Sequence, residues 1–177
     1  GKIETFQKDY HHRRYDCKAD VKAVFDDRVA IVYYYPNMKP DIIESLIDNG
    51  YKGIIIAGTG LGHVNKPLYS VLGRASEIGL HVYMTVQTMY GFVQMYVYET
   101  GRELMQLGVI PAANLLPEVA YIKLGWALGQ SQDQEEVKKI MLTPISHDIT
   151  EREPYNGYQI LQGGIPEVDD MMSQLWK

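Results

Sequence analysis

Three short runs in this chain, "VAIVYYY" (Val29 to Tyr35), "GIIIAG" (Gly53 to Gly58) and "HVYMTV" (His81 to Val86), are β-branched or aromatic and apolar at successive positions. A strand with one wet face alternates in polarity. Runs that fail to alternate are buried on both faces, which is the condition of a parallel sheet covered by helices. Each run is followed by a helix-length stretch closed by glycine. After the stop "PNMKP" a helix is expected from Asp41, with Ile42, Ile43, Leu46 and Ile47 as its apolar stripe and Gly50 at its end. "PLYSVLGRASEIG" closes at Gly79 and "YETGRELMQLG" at Gly108. Parallel neighbours need a crossover, and crossovers are right-handed. The alternation therefore predicts a small doubly wound α/β domain, a Rossmann-like parallel sheet flanked by helices.

Two further helices are expected, "LLPEVAYIKLGWALG" and "DQEEVKKIML", with Pro117 harmless in a first turn where its missing N–H has no partner to lose, and with Leu124 and Trp126 buried where the first of them backs the sheet. The pattern sets three regions. Residues 1–28 mix charges of both signs without periodicity and read as a linker or the end of an upstream domain. Residues 29–142 form the α/β domain. Residues 143–177 turn polar and read as an extended tail with a short terminal helix near Trp176.

Composition narrows the function classes. No apolar run approaches the ~20 residues of a membrane-spanning helix, so no membrane role and a cytoplasmic setting are expected. One cysteine, Cys17, excludes an intrachain disulfide and a thiolate zinc site, and no metal site is expected. Net charge is −5, and the acidic excess lies at the C-terminus: residues 130–177 carry four basic and nine acidic groups. A nucleic-acid binder needs a clustered basic face, and only "HHRR" (His11 to Arg14) offers one, which reads as solvated linker.

The stretch "GIIIAGTGLGHVNK" runs from a buried strand into a glycine cluster. A dinucleotide fingerprint, G-x-G-x-x-G, would place glycine where His63 stands, and a P-loop would place glycine before Lys66, where Asn65 stands. Both fail. What remains is a glycine-permissive turn presenting Thr59 and His63 at the carboxyl end of a strand, where open α/β sheets bind ligands. Two more loops leave the same edge, "PNMKP" and "QTMYG", so Thr59, His63, Gln87, Thr88 and Tyr90 are expected around one crevice. No Ser or Cys nucleophile has a matched base, and Glu99 with Glu103 reads as a solvated helix face. Lys123 is the one charge from Val119 to Leu128. A buried unpaired ammonium costs several kcal/mol, so it either snorkels, meets a carboxylate or lies at a subunit interface. His81, at a strand start, reads as a packing residue held by a hydrogen bond.

The stretches "YYPNMKPDII", "GYKGIIIAGTGLGHV", "YVYETGRELMQLGVIP" and "LLPEVAYIKLGWALGQ" resemble the C-terminal domain of the asparaginase family, most closely its archaeal branch, the glutaminase subunits of glutamyl-tRNA(Gln) amidotransferases. The resemblance covers residues 1 to about 152, with "DITER" (Asp148 to Arg152) as a weaker match. It implies an amidohydrolase that takes the side-chain amide of glutamine or asparagine and passes ammonia to a kinase/transferase partner subunit, which amidates glutamate on misacylated tRNA. In such enzymes the catalytic threonine and its helpers lie upstream, and no "TGGTI"-like or "TDT"-like motif occurs here. The implied fragment is catalytically silent alone, homo-oligomeric through this domain, and free of cofactor, with ATP and Mg at the partner subunit and tRNA bound mainly there. The glycine loop would face a neighbouring subunit's active site, making His63 and Thr59 substrate-contact candidates and Lys123 an interface candidate. Tetrameric asparaginases carry Asn at the position of His63, and relatives carry Gly at Asn37 and Cys at Thr88. Two other readings are the C-terminal domain of a type I L-asparaginase and a non-catalytic small-molecule or protein binding module.

Overall fold

The computed structural model describes residues 12–150, together with Met171 and Gln174. Four parallel strands lie in sequence order: β1 (Val29–Tyr33), β2 (Gly53–Gly58), β3 (His81–Val86) and β4 (Ile110–Pro111). The helices are α1 (Asp41–Asp48), α2 (Tyr69–Glu77), which follows a 3₁₀ turn at Lys66–Leu68, α3 (Glu99–Gln106), α4 (Pro117–Gln130) and α5 (Gln134–Leu142).

Register explains why the runs are apolar without alternation. Ile31, Ile55, Tyr83 and Ile110 stand in one row across the sheet, and Val32, Ile56, Met84 and Pro111 in the next. Neighbouring rows point to opposite faces. One face packs Val32, Ile54, Ile56, Val82 and Met84 against α1, α2 and α3 through Ile43, Leu72 and Leu104. The other packs Ile55 and Tyr83 against α4 and α5 through Ala120, Leu124, Val137 and Met141. Both faces are covered, as expected, but not by alternating crossovers. Strands added in sequence order send all three crossover helices along one face, and the chain reaches the second face only after β4.

Three local differences have physical causes. β4 is unexpected: its two residues are too short for any periodicity, and Pro111, which has no N–H to donate, suits an edge strand. Ile42 falls off the α1 stripe and is 37% exposed, while Ile43 carries the burial. Trp126 is half-buried rather than in the core, because its helix face meets the incoming chain instead of the sheet. Its indole Nε1 donates to the Lys22 carbonyl at 2.8 Å.

That incoming chain is a docked segment. Asp26 N donates to Gly125 O at 2.9 Å and Gln130 Nε2 to Val24 O at 2.8 Å. A Cβ built on Gly129 would stand 2.1 Å from Val24 O, so only glycine lets the two backbones approach. The Asp26 carboxylate then gathers Arg28 and Lys52; the Arg28 guanidinium, chiefly, holds its carboxyl well below the usual range. The outgoing chain is held by the same helix, through Lys123. Residues 143–150 carry no helix or strand; Met171 and Gln174 are helical and exposed, and Trp176 lies outside the described residues.

Candidate functional site

The glycine loop closes on itself at the carboxyl end of β2. Thr59 N donates to His63 O and His63 N to Thr59 O, both at 3.0 Å, with the Thr59 hydroxyl on His63 O at 3.3 Å. Gly60 and Gly62 supply the positive φ that this five-residue closure needs, +55° and +95°. Gly58 is required for a different reason: a Cβ there would stand 2.9 Å from His63 N.

The neighbouring loops are tied to it unequally. Gln87 is committed to the scaffold, since its side-chain amide donates to Tyr34 O and to Ala57 O at 2.9 Å and its backbone N–H to Gly58 O at 3.1 Å. It clamps the ends of β1, β2 and β3. Thr88 and Tyr90 follow in an exposed turn. Asn37 in the first loop has φ of +64°, a left-handed conformation that asparagine tolerates better than most side chains. Thr59, His63 and Gln87 are therefore brought together, with Thr88 and Tyr90 at the margin.

His63 turns away from the crevice mouth toward α3. Its Nδ1 lies 3.4 Å from the Thr100 hydroxyl, and its ring meets Tyr98 at 5.5 Å between centroids with the planes inclined 56°. Nε2 is buried without a partner among the described residues, and burial pushes the imidazole pKa down, so the ring is neutral at pH 7. A threonine hydroxyl beside a histidine has the outline of a nucleophile and base. A working relay also needs a third group to orient the histidine's other nitrogen, and among the described residues Nε2 has none. The sequence points to the loop but not to Thr100 or Tyr98, whose approach depends on where α3 packs.

Other expected residues resolve differently. Lys123 is only 5% exposed and paired within the chain: Nζ donates to Asp148 Oδ2 and to Thr143 O, each at 2.7 Å. Burial raises the Asp148 carboxyl, but the Lys123 ammonium and the Ile145 and Ser146 N–H groups more than offset it and hold it below the ordinary range. Glu103 is not a fully solvated face residue; it is half-buried and 3.4 Å from Lys66, while Glu99 is exposed. His81 stacks parallel on Tyr83 at 6.5 Å. Cys17 is free and exposed. No group of three or more metal-ligating side chains occurs among the described residues, and no helix among them is long and apolar enough to cross a membrane.

Fold and site together define an open-sheet α/β domain that presents a shaped glycine loop at the carboxyl edge of its strands. The family profile of the Glutaminase/Asparaginase C-terminal domain matches residues 28–141. The chain belongs to the glutaminase/asparaginase C-terminal domain family. The D subunit of glutamyl-tRNA(Gln) amidotransferase from Thermococcus kodakarensis is 45% identical over 158 residues, 89% of this chain and 35% of that protein. The protein of the same name from Pyrococcus horikoshii is 47% identical over the same shares, and that from Metallosphaera sedula 47% identical over 80% of this chain and 32% of its own length. The chain thus spans about a third of the length of the relatives it matches. Among solved structures, the thermostable L-asparaginase of T. kodakarensis superposes with a TM-score of 0.68 at 32% identity, over 73% of this chain and 40% of that one. L-asparaginase I of Vibrio cholerae gives 0.68 at 28% identity, over 76% and 41%.

Proposed function

We propose that this chain is the C-terminal domain of the glutamine-hydrolysing subunit of a glutamyl-tRNA(Gln) amidotransferase. The observation that carries the reading is 45–47% identity, over 80–89% of this chain, to proteins of that name. The nucleophilic threonine belongs to the upstream part of the longer protein. There the glutamine amide is hydrolysed and ammonia passes to a cytoplasmic partner subunit, which uses ATP and Mg and holds the tRNA. This domain contributes no cofactor of its own. It supplies a self-contact to the homo-oligomer and a rigid loop to a neighbour's active site.

His63 gives that loop its chemistry. Thr100 occupies Nδ1, so Nε2 is the nitrogen that a substrate's α-amino or carboxylate end would meet once Tyr98, 56% exposed, swings aside. A neutral imidazole both donates and accepts, and so positions substrate without taking part in bond breaking. In the full-length protein, His63→Ala is expected to raise KM about 10-fold with a smaller change in kcat, the mark of uniform binding. An unchanged KM with a lower melting temperature would overturn the role. The 177-residue chain by itself is expected to release no ammonia from glutamine or asparagine.

The likeness to two L-asparaginase structures favours a second reading, an asparaginase C-terminal domain. Ammonia release by the full-length protein separates them. A glutamine preference and stimulation by the partner subunit support the amidotransferase; an asparagine preference indifferent to any partner supports the asparaginase.

A further inference from the structure

Thr100, the second residue of α3, meets His63 across 37 residues of sequence, its hydroxyl 3.4 Å from Nδ1. Three contacts hold it there. Gln94 N donates to Leu61 O at 2.9 Å, tying the approach to α3 onto the glycine loop. The Tyr69 hydroxyl, from the first residue of α2, donates to Thr100 O at 3.1 Å and fixes the backbone that carries the side chain. Arg102 Nη1 donates to Tyr96 O at 2.8 Å and to Val97 O at 3.3 Å, pinning the turn that leads into the helix. The Thr100 side chain is therefore aimed at the imidazole by its neighbours and not by its own bond to it.

The direction of the bond follows from its donors. A helical threonine hydroxyl commonly donates to the carbonyl three or four residues back. Here those two, Val97 O and Tyr96 O, accept from Arg102, and the Thr100 hydroxyl meets His63 Nδ1 instead. Burial keeps the imidazole uncharged, so one ring nitrogen carries the proton and the other accepts. Were Nδ1–H to donate to Thr100, both the threonine proton and the buried Nε2 lone pair would be left without a partner among the described residues. With Thr100 donating, the one proton left over is that of Nε2. A separation of 3.4 Å is long, as such bonds commonly are before a substrate tightens the site.

We infer that Thr100 is a positioning residue for substrate binding: its hydroxyl donates to His63 Nδ1, holds the ring proton on Nε2, and so commits His63 to the carboxylate end of the amide substrate. A carboxylate only accepts hydrogen bonds and an α-ammonium only donates them, so an Nε2–H group serves the first and offers the second nothing. The inference rests on the reading of His63 as a substrate contact and narrows it from either end of the amino acid to one.

Steady-state hydrolysis of L-glutamine by the full-length protein tests it, with two competing ligands: 4-carbamoylbutanoate, which keeps the carboxylate and lacks the amine, and 4-aminobutanamide, which keeps the amine and lacks the carboxylate. Should the protein prefer L-asparagine, 3-carbamoylpropanoate and 3-aminopropanamide take their places. Thr100→Val keeps the shape and removes the hydroxyl. It should raise KM about 5-fold with kcat within about two-fold, weaken the carboxylate ligand by the same factor, and leave the amine ligand within about two-fold. Thr100→Ser, which keeps the hydroxyl, should restore KM and the carboxylate ligand's binding. Added to His63→Ala, Thr100→Val should raise KM no further, because the two side chains act as one unit. If Thr100→Val fails to fold, Thr100→Ala carries the same expectations. An unchanged KM in His63→Ala sinks the reading of His63 and this inference with it; a raised KM there beside an unchanged KM in Thr100→Val overturns this inference alone. So would Thr100→Ser behaving as Thr100→Val, a further loss in the double variant, weakening of the amine ligand in place of the carboxylate ligand, or no competition by the carboxylate ligand in the unsubstituted protein.

Discussion

The two layers that cover the sheet are built on different terms. The α1 to α3 layer uses short helices with one face on the strands and the other in water, so its sequence reads as stripes. The second layer rests on α4, which is enclosed on several sides. Leu124 lies on Gly53 of β2, where a Cβ would stand 2.5 Å from Leu124 Cδ2; Gly125, Trp126 and Gly129 meet residues 22–26; Lys123 holds residues 143–148. Contacts on several sides account for much of why "PEVAYIKLGWALG" is apolar, although Val119 and Ile122 remain exposed, at 39% and 57%. The lesson is that an apolar helix with one charge, Lys123, in its interior reports a helix with several partners, not merely a deeper core.

The sharpest test of that contrast is Leu124→Ala. Leu124 is fully buried against glycine backbone that cannot grow to fill the gap, so the loss is expected to be about 4 kcal/mol in denaturant unfolding. A loss below about 1 kcal/mol would mean the second layer collapses freely. Next comes Lys123→Met, expected to cost about 3 kcal/mol at neutral pH because it strands the Asp148 carboxylate in a buried setting. The sign with pH follows from the lowered carboxyl: the pair's contribution is whole above about pH 4 and fades as pH falls below it. The penalty of Lys123→Met should therefore shrink in acid; melting curves of both proteins across that range check it.

The same substitution in the two layers should then give opposite signs. Gly129→Ala places a methyl against the Val24 backbone, which cannot step aside as a side chain can. It is expected to cost about 2 kcal/mol net of the helix propensity gained, and to shift Trp126 fluorescence as the bond to Lys22 is lost. Gly73→Ala in α2 meets only the flexible Leu107 Cδ2, at 3.2 Å, and is expected to stabilise by up to about 1 kcal/mol. If both glycines respond alike, the docking of residues 22–26 contributes nothing.

β2 and β3 are legible to the residue because strands buried on both faces must be apolar from end to end. β4 is not, since two residues carry no period. Burial of Leu124 is legible; the half-burial of Trp126 is not, because the sequence of α4 cannot say which of its faces the incoming chain will take. At the site the same division holds. Glycine spacing and strand polarity identify the Thr59–His63 loop and rule out both phosphate motifs. The direction of the His63 ring stays hidden, because it is set by Thr100 and Tyr98 across a packing contact, and no local pattern encodes a contact 37 residues away. The apolar setting of Lys123 demands a partner, yet Asp148 becomes that partner only through the path of the chain after α5.

The two grips on α4 have a mechanical consequence. The chain arrives against Gly125, Trp126 and Gly129 and departs past Lys123, so its two ends are fastened to one rod within about two turns of each other. Tension applied between them is carried across that rod and spares the hydrogen-bonded ladder of the sheet. Any displacement on the incoming side is delivered to the outgoing side through a single helix.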